Sequence, residues 1–126
     1  MNERELALLI ARELESKKAE DVVVLYVGEE TIIADYFIIC TGRSSLHIHS
    51  LVDDIEEFTI KMGREPLHVE GERGSRWILM DYGDVVVHIF NREGREFYAL
   101  DRLWGGAKTV SYKETEVKSD EGSQQV

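Results

Sequence analysis

The stretch that decides the fold is residues 32–62, IIADYFIICTGRSSLHIHSLVDDIEEFTIKM, in which a strand leads into a helix. Residues 32–40 are mostly apolar and β-branched, which predicts a strand. The next few residues break that pattern and include two serines, either of which is suited to cap a helix. Residues 45–62 then repeat apolar side chains at helical spacing. A helix that crosses between strands implies a parallel pair, so we expect a mixed sheet.

The remaining elements follow from the same periodicities, read outward in both directions. Two pairs of neighbouring strands are close enough along the chain to form hairpins, which adds antiparallel pairs. The predicted elements are a helix at 3–17, strands at 22–27, 65–70, 77–82 and 85–90, and a last helix at 93–104. The order αββαβββα predicts an α/β fold of the mixed α+β kind, with a five-stranded mixed sheet and helices packed on it.

Domain organisation follows from length and composition. A chain of 126 residues with 43% hydrophobic side chains fits one domain with a real core. Residues 1–104 carry the periodic pattern, whereas residues 105–126 are polar and are predicted to be a disordered tail. No apolar run is long enough to span a membrane, and the charged first residues are unlike a secretory signal. The single cysteine, Cys40, cannot form an intramolecular disulfide, which is compatible with a reducing cytosol.

The net charge of −10 limits the classes of partner. A strongly acidic chain repels a phosphate backbone, so direct nucleic-acid recognition is not expected. The same charge suits a basic protein partner, and it also fits a surface that is acidic for solubility alone.

Metal and nucleophile chemistry find little support in the sequence. The four histidines lack the spacing of a zinc site, so neither a metal nor a cofactor is predicted. Cys40 ends an apolar strand and is expected to be buried and inert, and no nucleophile elbow is present.

Nucleotidyl transfer is the enzymatic alternative. Those enzymes place an acidic pair after a glycine-serine turn, and Asp54 and Glu56 follow Gly42 at a suitable distance. The pair lies on a predicted helix, however, where residues two apart are separated by about 200° around the axis. Two carboxylates placed in that way do not converge on one metal ion.

Several polar and aromatic residues interrupt the predicted strands. Asp35 and His88 fit hydrogen-bonded core positions as well as functional ones, because buried polar groups must be paired. Trp77 fits an interface hot spot and a core position equally well.

Three segments together resemble the ribosomal silencing factor family, also called the Iojap or YbeB family. The resemblance covers residues 3–104 in order and leaves the segment from 105 onward outside. Its first signature is Ala34 to Gly42 with Ser44, Ser45 and His47. Its second consists of Glu70-Gly71, Trp77 and residues 81–90, and its closing helix contributes Arg95, Tyr98, Leu100, Leu103 and Trp104.

The resemblance implies a fold related to the nucleotidyl transferases without their catalytic acids, and hence a protein that is not an enzyme. It also implies a function: members bind ribosomal protein L fourteen of the large subunit and sterically block joining of the small subunit. Translation is thereby lowered when nutrients are scarce. The family further implies a homodimer when the protein is free, and a bacterial cytoplasmic member is favoured over an organelle relative.

A partner-binding face is predicted around the last hairpin. Trp77 would be its central contact, and two aspartates would meet lysine or arginine of a basic partner. Whether Arg95, Tyr98 and Trp104 touch the partner or build the closing helix stays open. The predicted partner-binding residues are Glu70, Trp77, Met80, Asp81, Tyr82 and Asp84.

Overall fold

The computed structural model describes residues 1–71 and 74–113, which form a mixed sheet with helices on both faces. The sheet order is β3-β4-β5-β2-β1-β6. Only β2 and β5 pair in parallel among the strands described, as the strand-to-helix stretch predicted. The helices are α1 (Glu3–Ser16), α2 (Ser45–Lys61), α3 (Arg92–Tyr98) and α4 (Leu100–Leu103). The strands are β1 (Glu20–Tyr26), β2 (Tyr36–Thr41), β3 (His68–Glu70), β4 (Trp77–Asp81), β5 (Val85–Phe90) and β6 (Lys108–Val110).

The mixed α+β fold is therefore confirmed, with six strands where five were predicted. The two faces of the sheet bury different side chains because neighbouring residues of a strand point in opposite directions. Helices α1 and α2 cover one face, where Ile38, Cys40 and Val87 pack with α1 residues such as Leu6 and Ile10. The short helices α3 and α4 cover part of the other face.

Both long helices begin directly after a residue whose side chain caps the helix N-terminus. Asn2 Oδ1 accepts a hydrogen bond from Glu5 N at 2.8 Å, and Asn2 N donates one to Glu5 Oε1 at 3.0 Å, which completes a capping box. Of the two serines before α2, Ser44 is the cap, and its hydroxyl accepts from His47 N at 3.0 Å. No helix among the described residues has the length and apolar character needed to cross a membrane.

Strand β2 begins at Tyr36, later than the predicted start at residue 32. Pairing starts there because the backbone N–H groups of Asp35 and Tyr36 both bond to the carbonyl of Asp84. Ile32 and Ile33 precede this point, lie in the connection from β1, and are largely exposed. The predicted strand at 65–70 is likewise shortened to His68–Glu70, after Pro66.

The predicted last helix at 93–104 is two helices in the structure. Ala99 adopts a left-handed conformation, with φ 49°, which ends α3 and turns the chain into α4. The start of α3 lies so close to β4 that a Cβ on Gly94 would collide with the carbonyl of Arg76. This close approach places Tyr98 against Trp77, with ring centroids 4.7 Å apart.

The prediction that residues 105–126 form a structureless tail was wrong for its first part. Lys108–Val110 is strand β6, which pairs antiparallel with β1 through Val24 and Val110. Tyr112 is buried beyond it, and its carbonyl accepts a hydrogen bond from Arg12 Nε at 2.6 Å. Residues 114–126 lie outside the described residues, so the expectation of disorder there stays a prediction.

Candidate partner-binding groove

The alternation of β4 divides the predicted contact residues between the two faces of the sheet. Trp77, Leu79 and Asp81 point away from the long helices, whereas Met80 points toward them and is 0% exposed. Tyr82 is 4% exposed, and its hydroxyl lies 2.8 Å from the hydroxyl of Thr59 on α2. Met80 and Tyr82 are therefore core residues, and their prediction as partner contacts is corrected.

The outward-facing side chains line a concavity with a volume of about 430 Å³, which we name the sheet groove. Its floor is made by residues of three neighbouring strands, and its walls come from the two tryptophans, α4 and the connection before β2. The floor residues are Phe37, Leu79, Val86 and His88, and the wall residues are Ile33, Trp77, Leu100 and Trp104. An apolar concavity with few polar groups is typical of a binding site.

Trp77 is held in the groove by stacking and by one hydrogen bond. Its ring stacks on Phe90 at a centroid distance of 5.2 Å, and Tyr98 packs beside it. Its indole N–H donates to His88 Nδ1 at 3.1 Å. On the opposite wall, Trp104 meets Phe37 edge-to-face at 5.3 Å. Trp77 and Trp104 thus line the same groove.

His88 forms the polar part of an otherwise apolar floor. It is 4% exposed, and burial lowers the pKa of its imidazole to about 4, so the ring is neutral at physiological pH. Because Nδ1 accepts from Trp77, the proton of the neutral ring lies on Nε2.

The rim of the groove beside β3 is acidic. His68 lies between two carboxylates, with Nε2 2.9 Å from Glu70 Oε2 and Nδ1 3.7 Å from Asp81 Oδ2. Asp81 also accepts from Gly83 N at 2.7 Å, which holds the turn to β5. Glu70, Trp77 and Asp81 thus line the same groove, and their role as partner contacts stays a prediction.

Asp84 lies elsewhere. Its carboxylate is grouped with those of Glu3 and Asp35, and the three oxygens lie within 4.8 Å of one another. This cluster lies where the start of α1 meets the residues just before β2 and β5, and none of its three members lines the groove. The prediction that Asp84 belongs to one contact surface with Trp77 is corrected, because Asp84 does not line the groove.

The acidic pair considered for nucleotidyl transfer lies on α2, as the sequence predicted. Asp54 faces α1, where its carboxylate accepts a hydrogen bond from protonated Glu13; this bond, helped by burial, raises the pKa of the Glu13 carboxyl. Lys17 Nζ approaches Asp54 at 3.7 Å. Asp54 is therefore used between the two helices and does not pair with Glu56.

Arg95 builds the closing segment. Its guanidinium donates to both oxygens of Asp101 at 3.0 and 2.7 Å, to Thr41 Oγ1 at 2.9 Å and to the carbonyl of Asp21 at 3.0 Å. With its side chain only 16% exposed, Arg95 connects α3, α4 and the strands and uses four of its five N–H donors within the chain.

Sequence reasoning did not assign the groove floor. Phe37, Leu79 and Val86 were interpreted as ordinary strand residues, and His88 as one of two polar core candidates. The signal that identifies them is the two-residue period: each lies an even number of positions from another outward residue of its own strand. That period, counted from Trp77, also excludes Met80.

The comparisons with known proteins agree on one family. The model described as ribosomal silencing factor during starvation matches residues 1–126, including the segment after 104 that the sequence prediction had left outside. A ribosomal silencing factor of Halalkalibacterium halodurans is 39% identical over 110 residues, covering 87% of this chain and 94% of the relative. The corresponding protein of Bacillus subtilis is 36% identical over 107 residues, covering 85% and 91%.

Solved structures show the same likeness. A crystal structure of a Chromobacterium violaceum protein matches with a TM-score of 0.80 at 29% identity, over 90% of this chain and 98% of that one. One from Bacillus halodurans matches with a TM-score of 0.74 at 35% identity, over 86% and 98%. A match over the whole chain, with relatives above 30% identity and the same fold, leads to one conclusion: the chain belongs to the ribosomal silencing factor family.

Proposed function

We propose that this protein represses translation by binding the large ribosomal subunit through ribosomal protein L fourteen and blocking association with the small subunit. The family assignment supports a role at the ribosome. A related mouse protein, 33% identical over 94 residues, is named for mitochondrial assembly of the ribosomal large subunit, which favours that subunit as the target. In this proposal the repression operates in the bacterial cytoplasm when nutrients are limiting.

The observation that carries the proposal is the sheet groove. It combines two aromatic walls with an acidic rim, the composition expected of a surface that meets a basic protein. Buried aromatic side chains contribute most of the affinity at such contacts, while rim charges mainly speed the encounter. Trp77 would therefore be the central contact, with Glu70 and Asp81 facing lysine or arginine.

Steric occlusion of the small subunit requires tight docking and no chemical step, which agrees with relatives that are named as silencing factors. We further propose that the free protein is a homodimer that uses the same groove. The dimer and the ribosome would then compete for one surface, and mutations in the groove would change both equilibria.

The first test is co-sedimentation of wild-type and Trp77→Ala proteins with isolated large subunits and with isolated small subunits. The second is an assay of subunit joining in the presence of each protein. We expect wild type to pellet with large subunits only and to reduce joining. Trp77→Ala should bind at least about tenfold more weakly, as expected for an interface hot spot. The matched control is Leu46→Ala, which removes a side chain 80% exposed on α2, and which should bind as wild type does.

Circular dichroism and thermal unfolding of each variant ensure that only folded protein is compared. Equal binding of Trp77→Ala and wild type would remove the groove from the contact. Recovery with neither subunit would remove the ribosome from the function.

A further inference from the structure

His88 supports the central tryptophan of the groove from beneath. Its Nδ1 accepts the indole N–H of Trp77 at 3.1 Å, and the two ring centroids are 5.7 Å apart. Tryptophan N–H groups that are partly buried need an acceptor, and here the acceptor is a buried, neutral imidazole. The hydrogen bond fixes the indole relative to β5, the strand beside it in the sheet.

The other nitrogen of His88 shows that packing alone does not explain the residue. Nε2 is buried and has no hydrogen-bond partner within residues 1–71 and 74–113. A buried donor without an acceptor lowers stability. A phenyl ring would pack against Phe37, whose ring centroid is 4.7 Å from that of His88, without this cost. What phenylalanine would lack is the acceptor that Nδ1 offers to Trp77.

We propose that His88 is a positioning residue for partner binding, whose Nδ1 holds the Trp77 indole in the one orientation that the partner meets. The inference rests on the proposed function, because it takes Trp77 to lie in the contact. It assigns a role in binding to His88, a buried residue of the groove floor that acts through Trp77.

Loss of the acceptor would act on the free protein. The indole N–H would then find its hydrogen bond in water, in orientations that leave the stack on Phe90 and Tyr98. Apparent affinity falls in proportion to the fraction of molecules whose indole is in the competent orientation. Holding the indole in place before binding therefore raises affinity without any contact of His88 with the partner.

Two substitutions separate the acceptor from the ring. His88→Phe keeps an aromatic ring and removes the acceptor, whereas His88→Asn loses the ring and offers an amide oxygen near the position of Nδ1. Each variant is measured for unfolding midpoint, for affinity toward isolated large subunits, and for the ¹H–¹⁵N resonance of the Trp77 indole. The Trp104 indole resonance is the internal control, and Trp77→Ala is measured alongside.

For His88→Phe we expect an unfolding midpoint equal to or above that of wild type, together with affinity lowered about tenfold. Its Trp77 indole proton should move upfield and exchange faster with water, while the Trp104 resonance stays in place. His88→Asn should bind several-fold more tightly than His88→Phe even where it is less stable.

Wild-type affinity and an unmoved Trp77 resonance in His88→Phe would overturn the inference. So would affinities that follow stability across the two variants, since that is the behaviour of a residue needed only for packing. If Trp77→Ala also binds normally, the groove is not the contact and the positioning role fails with it; if wild type itself pellets with neither subunit, the proposed function fails. If Trp77→Ala binds weakly while His88→Phe binds normally, only the positioning role fails.

Discussion

Arg95 illustrates how a single side chain closes this fold. Its guanidinium forms hydrogen bonds to Asp101, Thr41 and Asp21, which belong to three different parts of the chain. Burial would raise the pKa of Asp101, but the hydrogen bonds and charge of Arg95 outweigh it and keep that pKa below its usual range. The planar fork of arginine reaches all of these acceptors at once, which a lysine ammonium does not.

We therefore expect Arg95→Lys to lower the free energy of unfolding by about 2 kcal/mol, because charge-assisted hydrogen bonds are lost and their partners left partly unsatisfied. Urea denaturation followed by circular dichroism measures this. Arg92→Lys is the matched control: Arg92 is 71% exposed and its contact with Glu20 is a surface ion pair. A change in the control should stay within about 0.5 kcal/mol. Equal effects of the two substitutions would contradict the assigned role.

Strand β6 shows how an element with a weak pattern is stabilised by its surroundings. Its three residues are mostly exposed, and only Val110 is half-buried. Backbone pairing with β1 supplies its hydrogen bonds. Tyr112, just beyond it, packs into the core beneath α1, where Arg12 holds its carbonyl. One buried aromatic side chain thus fixes the last described segment of the chain.

Replacing Tyr112 with alanine should cost about 3 kcal/mol of unfolding free energy, the typical loss when a buried aromatic side chain is truncated. In Tyr112→Ala, the amide hydrogen-exchange rate should increase over that of wild type more at β6 than at β2. Thr109→Ala, at an exposed position of the same strand, is the control and should leave both measurements near wild type. If Tyr112→Ala unfolds at the wild-type urea concentration, the segment after α4 contributes little to the fold.

Charge acts on the molecule as a whole. The net charge of −10 and the acidic rim of the sheet groove both favour a basic partner. Long-range attraction accelerates encounter, and it is screened when the Debye length falls below the distance between the charges. Contacts made by the aromatic walls are short-ranged and are screened much less.

Raising the salt concentration from about 0.05 M to about 0.5 M should therefore lower the association rate with large subunits by about tenfold or more and change the dissociation rate little. Stopped-flow fluorescence of the tryptophans measures both rates. Glu70→Gln with Asp81→Asn should reproduce part of the loss at low salt. A salt effect confined to dissociation would show that charge contributes to the docked complex instead of the encounter.

The order of the elements as far as β5 and the parallel pair were predictable from the chain alone. Local periodicity determines them: residues 45–62 repeat at helical spacing, and the apolar runs at 22–27 and 85–90 have strand character. The cap of α2 was predictable as one of two serines, because a capping hydroxyl bonds to an N–H group only three residues onward; the structure decided for Ser44. The family resemblance was equally available, because it depends on short signatures that stand in order along the sequence.

What the chain left undecided depends on contacts between residues distant in sequence. Strand β6 forms because the edge of β1 is available for backbone pairing. The residues Lys108–Val110 carry no sequence pattern that predicts a strand. The separation of Asp84 from Trp77, and the hydrogen bond between Trp77 and His88, follow from how strands align and pair. A sequence pattern sets which side of a strand a residue occupies, whereas only packing sets which face is covered by helices and which is left open as a groove.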